Sequence, residues 1–235
     1  MRAIILAGGR GERLMPLTAD RPKCLVEVAG TPILGHQLEW LAANGVDEVA
    51  LSCGPSSAQI REYAADGAEF GLHLTYAIEA TPLGRGGGLR FAWGQFQSGK
   101  ADRDPVVAVN GDLLTGVSLR QMRSAHERSG ALATLLLVPL VSQHGLVDVD
   151  PDGRILAFRE KPALPYFLSG GVYLLSPEVL DMLPRKGDHE VSTWPRLATE
   201  GRMHGYRWKG FWRSIDSVKD VSEANLALQR RLRRQ

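Results

Sequence analysis

Leu6-Ala7-Gly8-Gly9-Arg10-Gly11-Glu12-Arg13-Leu14, with Pro16-Leu17-Thr18 and Pro22-Lys23 close behind, is the stretch that decides the fold of this chain. The apolar run from Ala3 to Ala7 predicts a buried strand, and it leads straight into Gly8, Gly9 and Gly11. Glycine has no Cβ and tolerates positive φ, so such a loop lets backbone N–H groups approach a polyphosphate closely. Arg13 and Lys23 place positive charge where phosphates would sit. The segment therefore reads as a nucleoside triphosphate cradle. Two commoner phosphate loops do not fit. No glycine is followed by Lys-Ser or Lys-Thr, as a P-loop requires. Leu14 stands where the third glycine of G-x-G-x-x-G belongs, which excludes the dinucleotide fingerprint.

Outward from this loop, the first half alternates strand and helix. Thr31-Pro32 predicts an N-cap with proline in the first turn of a helix whose apolar face is Leu34, Leu38 and Leu41, ended by Gly45. Val46 to Cys53 predicts a strand, Ser56 to Ala65 a short helix, Leu72 to Glu79 a strand and residues 85–97 a helix. Pro105 to Val109 predicts a buried strand ending in Asn110-Gly111-Asp112. The second half is richer in strands: residues 131–140, a hairpin from Gly145 to Glu160 turning at Asp150-Pro151-Asp152-Gly153, and Ser169 to Leu175. Two helical segments flank Arg185 to His189. Met203 to Trp212 predicts a strand before a closing helix with Val218, Val221, Asn225, Leu228 and Leu232 on one face.

This βαβα rhythm implies an α/β, Rossmann-like fold: a mixed, mostly parallel central sheet with helices on both faces and ligands at the carboxyl ends of its strands. A length of 235 residues suits one domain, whose part over about 1–115 alternates strand and helix and whose part over about 116–235 is richer in strands. Hydrophobic residues are 44% and charged residues 23%, and the net charge is +2. Arg230, Arg231, Arg233 and Arg234 crowd the C-terminus; without them 24 basic residues face 26 acidic ones. That balance argues against a nucleic-acid-binding surface. Two cysteines, Cys24 and Cys53, form neither a metal motif nor a disulfide framework, which suits a reducing cytoplasm. No apolar run is long enough to span a bilayer, and no secretory signal opens the chain.

Residues 6–25 resemble the signature of the sugar-1-phosphate nucleotidylyltransferases, L-A-G-G-x-G-x-R-L-x-P-L-T-x-x-x-P-K-x-L, and the resemblance continues along nearly the whole chain. It implies a GT-A-like nucleotidyltransferase fold and an enzyme in which a sugar-1-phosphate oxygen attacks the α-phosphorus of an NTP and pyrophosphate leaves. The attacking phosphate is already ionised near neutral pH, so positioning and charge neutralisation carry the catalysis. The resemblance places Leu6, Ala7, Gly8, Gly9, Gly11 and Gly111 on the nucleotide, with Arg13, Lys23, Asp112 and Lys161 as the catalytic set. Asp112 matches the family's Gly-Asp metal site, and Mg²⁺ is the expected ion, since two carboxylates plus phosphate oxygens suit a hard cation.

The usual closing W-x-D-I-G-T reads Trp212-Arg213-Ser214-Ile215-Asp216-Ser217 here. Ser214 occupies the customary Asp position, so Asp216 is expected as the second ligand, in a stretch closer to the G-F-W-x-x-M-D-T of glucose-1-phosphate cytidylyltransferases. On the sugar side, His144-Gly145 with Asp148, Glu160-Lys161-Pro162 and Ser169-Gly170-Gly171 match three family motifs, Ser169 standing in for the usual Asn. Gly145, Glu160, Ser169 and Gly170 are expected to meet the sugar, and Lys161 its phosphate. Glu79 to Gly88, with Pro82 and Gly84, resembles the E-x-x-P-L-G-T-[AG]-G of mannose- and heptose-1-phosphate guanylyltransferases, with Arg85 for Thr. A carboxylate can accept from guanine N1–H and N2–H₂, so Glu79 is expected either to read guanine or to cap the following helix. GTP is favoured; CTP, UTP or dTTP remain alternatives, as does a catalytically silent subunit that senses nucleotide-sugars. The expected partners are these small substrates and, among assemblies, a homodimer.

Overall fold

The computed structural model describes residues 1–9, 11–55, 57–96 and 104–232. In chain order the elements are β1 (Arg2–Leu6), β2 (Glu27–Val28), β3 (Thr31–Pro32), α1 (Ile33–Ala43), β4 (Glu48–Cys53), α2 (Ala58–Ala64), β5 (His73–Ile78), α3 (Gly84–Trp93), β6 (Val106–Asn110), β7 (Leu113–Thr115) and α4 (Leu119–Ser129). There follow β8 (Ala133–Val141), β9 (Leu146–Val149), β10 (Ile155–Arg159), β11 (Ala163–Leu175), α5 (Pro177–Met182), α6 (Thr193–Thr199), β12 (Met203–Arg207), β13 (Trp212–Ser214) and α7 (Val218–Leu232).

Seven strands form one sheet in the order β12-β8-β11-β6-β1-β4-β5. The contacts β6–β1, β1–β4, β4–β5 and β8–β12 are parallel, and β11 lies antiparallel between β6 and β8. The expected α/β architecture is thus the observed one. Side-chain alternation divides the interior in two. Ile5, Leu51 and Val109 pack under α1 and α4 through Leu34, Leu38 and Met122, while Ile4, Ala50 and Ala108 pack under α3, α5 and α6 through Leu89, Leu180 and Leu197. A third cluster joins Leu14, Val26, Ile33, Leu114 and Ile215 to Val221 and Ala224 of α7.

Several boundaries differ from the expectation. Thr31 and Pro32 pair with Glu27 and Val28 as a short ribbon, so α1 begins only at Ile33. The proline's fixed φ serves the extended segment rather than the first helical turn. Ser56 and Gln97, at the edges of two expected helices, lie outside the described residues. Helix α4 is an element outside the sequence expectation; Ser118 caps it, Gly130 ends it in the left-handed region, and Leu119, Met122, Ala125 and His126 face inward. On α7, Val218 is 43% exposed and Ala224 takes the inner position. Strand β11 starts six residues before Ser169 and continues through it.

Candidate active site

Strand β1 lies between β4 and β6, with Leu6 opposite both Ser52 and Asn110. The glycine loop and the Asn110-Gly111-Asp112 turn therefore leave adjacent carboxyl ends of the sheet. They are stitched together: Gly111 N donates to the Leu6 carbonyl at 3.0 Å and Ala7 N to the Ser52 carbonyl at 2.8 Å. A Cβ on Gly111 would collide with the Leu6 carbonyl, so this turn accepts only glycine. Gln37, buried on α1, pins the same turn from beneath, its Nε2 donating to the carbonyls of Asn110 (2.8 Å) and Leu113 (2.9 Å).

The loop folds back over its own continuation. Gly11 has φ +67°, its carbonyl accepts from Thr18 Oγ1 at 2.8 Å, and a Cβ there would press on Thr18 and on Lys23. The Pro-Leu-Thr element thus closes the loop, and Leu14, fully buried, anchors it to the third cluster. Cys24 is buried in the core, which turns its neighbour Lys23 toward the cleft. Gly9 differs from the other two glycines: a Cβ at this position would meet nothing within 4 Å. No packing constraint within the protein explains that glycine, whereas a ligand backing onto the loop would. A cleft of about 40 Å³ opens there, lined by Leu6, Ala7, Gly9, Lys23, Gly111 and Asp112.

Lys23 is only 13% exposed and joins the two candidate metal ligands, with Nζ 2.7 Å from Asp112 Oδ2 and 2.9 Å from Asp216 Oδ1. Arg13, 79% exposed, reaches Asp216 Oδ1 at 2.9 Å. Asp216 is brought here by β13, which pairs antiparallel with β7, and by a 2.7 Å bond from Ile215 N to the Asp112 carbonyl. Ser214 donates to Asp216 Oδ2 at 2.7 Å, a second-ligand support that the sequence signalled only as a missing aspartate. Burial pushes the Asp216 carboxyl upward, but bonds from Lys23 and Ser214 and the charges of Lys23 and Arg13 hold it below the usual value. Arg13, Lys23, Asp112 and Asp216 thus converge from four separate segments.

The expected sugar-side residues lie on β11 and on the β9–β10 ribbon. Between Ser169 and Tyr173 the β11–β8 register slips, and Gly171 takes φ +67°. This bulge lets Gly171 lie against Asn110, while the Gly170 carbonyl accepts from Trp212 Nε1 at 2.8 Å, so Ser169-Gly170-Gly171 borders the Asp112 turn and β13. Gly145 sits against Phe158 and Glu160. Lys161 has φ +44°, and its Nζ is 3.9 Å from Glu160 Oε1. The ion pairs that gather Lys23, Arg13 and the two aspartates do not extend to this exposed pair. Asp148 is held bidentately by Arg159.

Glu79 ties β4 to the loop ahead of α3, and among the described residues no side chain caps that helix itself. Glu79 Oε1 accepts from Ser52 Oγ at 2.7 Å and Oε2 from Leu83 N at 2.8 Å. The glycines that follow have packing reasons of their own. Gly84, Gly86 and Gly87 lie against the backbone of residues 184–189, with Gly187 N donating to the Leu83 carbonyl (2.7 Å) and Gly86 N to the Gly187 carbonyl (3.0 Å). Pro82 is exposed in the loop before them.

A glycine loop, a lysine and two carboxylates thus meet at the switch between parallel strands of an α/β protein, where such folds place their ligands. The chain belongs to the nucleotidyl transferase family, whose model matches residues 2–231. It is 33% identical over 236 residues to a mannose-1-phosphate guanylyltransferase of Mycobacterium tuberculosis, covering 97% of this chain and 64% of that one. It is likewise 33% identical to mannose-1-phosphate guanylyltransferase 1 of Arabidopsis thaliana, covering 94% and 62%. The chain thus spans somewhat under two thirds of the length of these curated relatives. Among solved structures it is similar to HddC from Yersinia pseudotuberculosis, with TM-score 0.75 and 24% identity over 97% of this chain and 99% of that one. A putative glucose-1-phosphate thymidylyltransferase from Bacillus anthracis gives TM-score 0.73 at 21% identity, covering 97% and 94%. Among the described residues no helix is long and apolar enough to cross a membrane.

Proposed function

We propose that this chain transfers a nucleotidyl group from an NTP, with GTP favoured, to a sugar-1-phosphate, releasing pyrophosphate. The observation that carries this reading is the convergence of Lys23 on Asp112 and Asp216 beside a glycine loop whose Gly9 is unconstrained by the protein itself. The guanine preference rests on the named activity of the relatives at 30–34% identity. In this reading residues 1–115 serve the nucleotide and 116–235 the sugar phosphate, within one domain.

The two carboxylates already focus on a single cation, the Lys23 ammonium, and no cluster of three or more His, Cys, Asp or Glu ligands occurs among the described residues. A donor set of two carboxylates fits Mg²⁺, which draws its remaining oxygens from phosphate and water. Asp112 and Asp216 would hold it, and the ion would neutralise charge on the reacting phosphates. The chain's own groups do the rest. Backbone N–H groups of Gly8, Gly9 and Gly11 face the triphosphate, Arg13 and Lys23 stabilise the departing pyrophosphate, and Lys161 orients the attacking sugar phosphate. Glu160, Gly145 and the Ser169-Gly170 backbone meet sugar hydroxyls.

A pyrophosphate-release matrix of GTP, CTP, UTP and dTTP against a panel of sugar-1-phosphates tests the proposal. Turnover is expected with GTP and mannose-1-phosphate or a close hexose or heptose relative. No turnover with any pair would overturn the enzymatic reading in favour of a sensing subunit.

A further inference from the structure

Two of the positions that depart from the matched motifs, Arg85 in place of Thr and Ser169 in place of Asn, lie at the two ends of one hydrogen-bonded chain. Arg85 Nη2 pairs with Glu190 Oε2 at 2.8 Å, while its Nε is fixed by Asp188 Oδ2 at 2.8 Å. Glu190 N donates to Asp188 Oδ1 at 2.9 Å, so the two carboxylates are held as a unit. Glu190 Oε1 accepts from the Tyr173 hydroxyl at 3.3 Å, and that hydroxyl in turn lies 3.4 Å from Ser169 Oγ. Tyr173 is fully buried, its ring held edge-on by His189 and tilted against Trp194. Ser169, at the far end, is exposed on the β11 bulge, two residues before Gly171, which lies against Asn110.

Donor and acceptor counting gives this chain a direction. A carboxylate paired with a guanidinium only accepts, and Glu190 Oε2 is already engaged by Arg85. The single Tyr173 proton is therefore committed to Glu190, leaving only lone pairs facing Ser169. The Ser169 proton must then go to Tyr173. We propose that Arg85, Glu190 and Tyr173 are positioning residues that fix the proton of Ser169, so that Ser169 meets the sugar as an acceptor only and selects a hydroxyl that donates. An asparagine amide offers both a donor and an acceptor and needs no such orientation. The inference rests on the proposed function, since it takes the ligand beside Ser169 to be the sugar.

The test compares mannose-1-phosphate with analogues in which each hydroxyl in turn is replaced by fluorine, which does not donate, using wild type, Tyr173→Phe and Ser169→Ala. The inductive effect of fluorine on the phosphate is the same for every variant and cancels in the comparison. For wild type, one analogue is expected to lose about tenfold or more in kcat/KM through KM, as expected for one unmet buried hydrogen bond. Tyr173→Phe frees the Ser169 proton, and the penalty for that one analogue should fall to about threefold or less while the others stay unchanged. Ser169→Ala, an exposed substitution that leaves the fold intact, should remove the selective penalty as well. Identical fluorine profiles for wild type and both variants would overturn the proton order while leaving the enzymatic reading in place. Absence of turnover with every sugar phosphate, in wild type too, would overturn the proposed function and this inference together.

Discussion

Lys23 Nζ lies 2.7 Å from Asp112 Oδ2, and the two residues come from segments 89 positions apart that only the parallel pairing of β1 with β6 brings together. The same ammonium reaches Asp216 at 2.9 Å, so one side chain separates two carboxylates that would otherwise repel. Lys23→Ala is expected to lower kcat about a hundredfold or more, the usual loss for one preorganised charge in a phosphoryl-transfer site. Pyrophosphate release at saturating substrate measures it; a rate within threefold of wild type would remove Lys23 from the site.

The two aspartates differ from the serine beside them. Asp112→Ala and Asp216→Asn should each abolish measurable turnover, whereas Ser214→Ala removes one 2.7 Å bond to Asp216 and should cost about threefold to tenfold. Equal losses for Ser214→Ala and Asp216→Asn would place the second ligand at Ser214's position instead.

Two glycines offer opposite outcomes. Gly9→Ala adds a methyl where the protein has open space, so the melting temperature should hold while KM for the NTP rises about tenfold. Gly86→Ala puts a Cβ 2.7 Å from Pro184 Cγ and 2.9 Å from His189 N, and should destabilise by about 1–3 kcal/mol. Thermal denaturation and NTP saturation curves on both variants check the contrast.

Stability should fall at mildly acidic pH because of His189. Burial lowers its pKa from 6.5 to about 4, with neither ring nitrogen hydrogen-bonded. A depressed folded pKa means the unfolded chain binds the proton first. The contribution is therefore fully present above pH 6.5 and drains as the pH drops toward 4, by about 3 kcal/mol in total. Asp216 acts in a separate window, below its ordinary value of 3.8. His189→Phe is expected to flatten the loss of stability between pH 6.5 and 4, read by denaturant melts at several pH values.

Much of this was legible in the chain itself. The continuous apolar runs of β1, β4 and β6 mark strands covered on both faces, and Asp150-Pro151-Asp152-Gly153 marks the hairpin turn, where Gly153 has φ +85°. The loop's glycines, Arg13, Lys23, Asp112 and Asp216 were readable as types in a pattern. Their convergence was not, because it depends on strand order and on the β13–β7 pairing. Helix α4 is hard to read because only Leu119, Met122 and Ala125 of its eleven residues are apolar, so its inward face is thin. Gly84, Gly86 and Gly87 pack against residues 184–189, a contact that no local pattern announces. Gln37, Thr18 and Tyr173 act through one or two side-chain hydrogen bonds each and leave no periodic trace.

The ribbon of β9 and β10 hangs outside the seven-stranded sheet, entered from β8 and left through β11, and is clasped at its base by the 3.0 Å bond from Ser142 N to the Pro162 carbonyl. Glu160 and Lys161 ride on that appendage, whereas Asp112 and Lys23 are fixed in the sheet's own framework. The ribbon is therefore a separable unit, and under the proposed function replacing residues 143–161 as a block is expected to change which acceptor is grasped while leaving the Lys23–Asp112 pair in place.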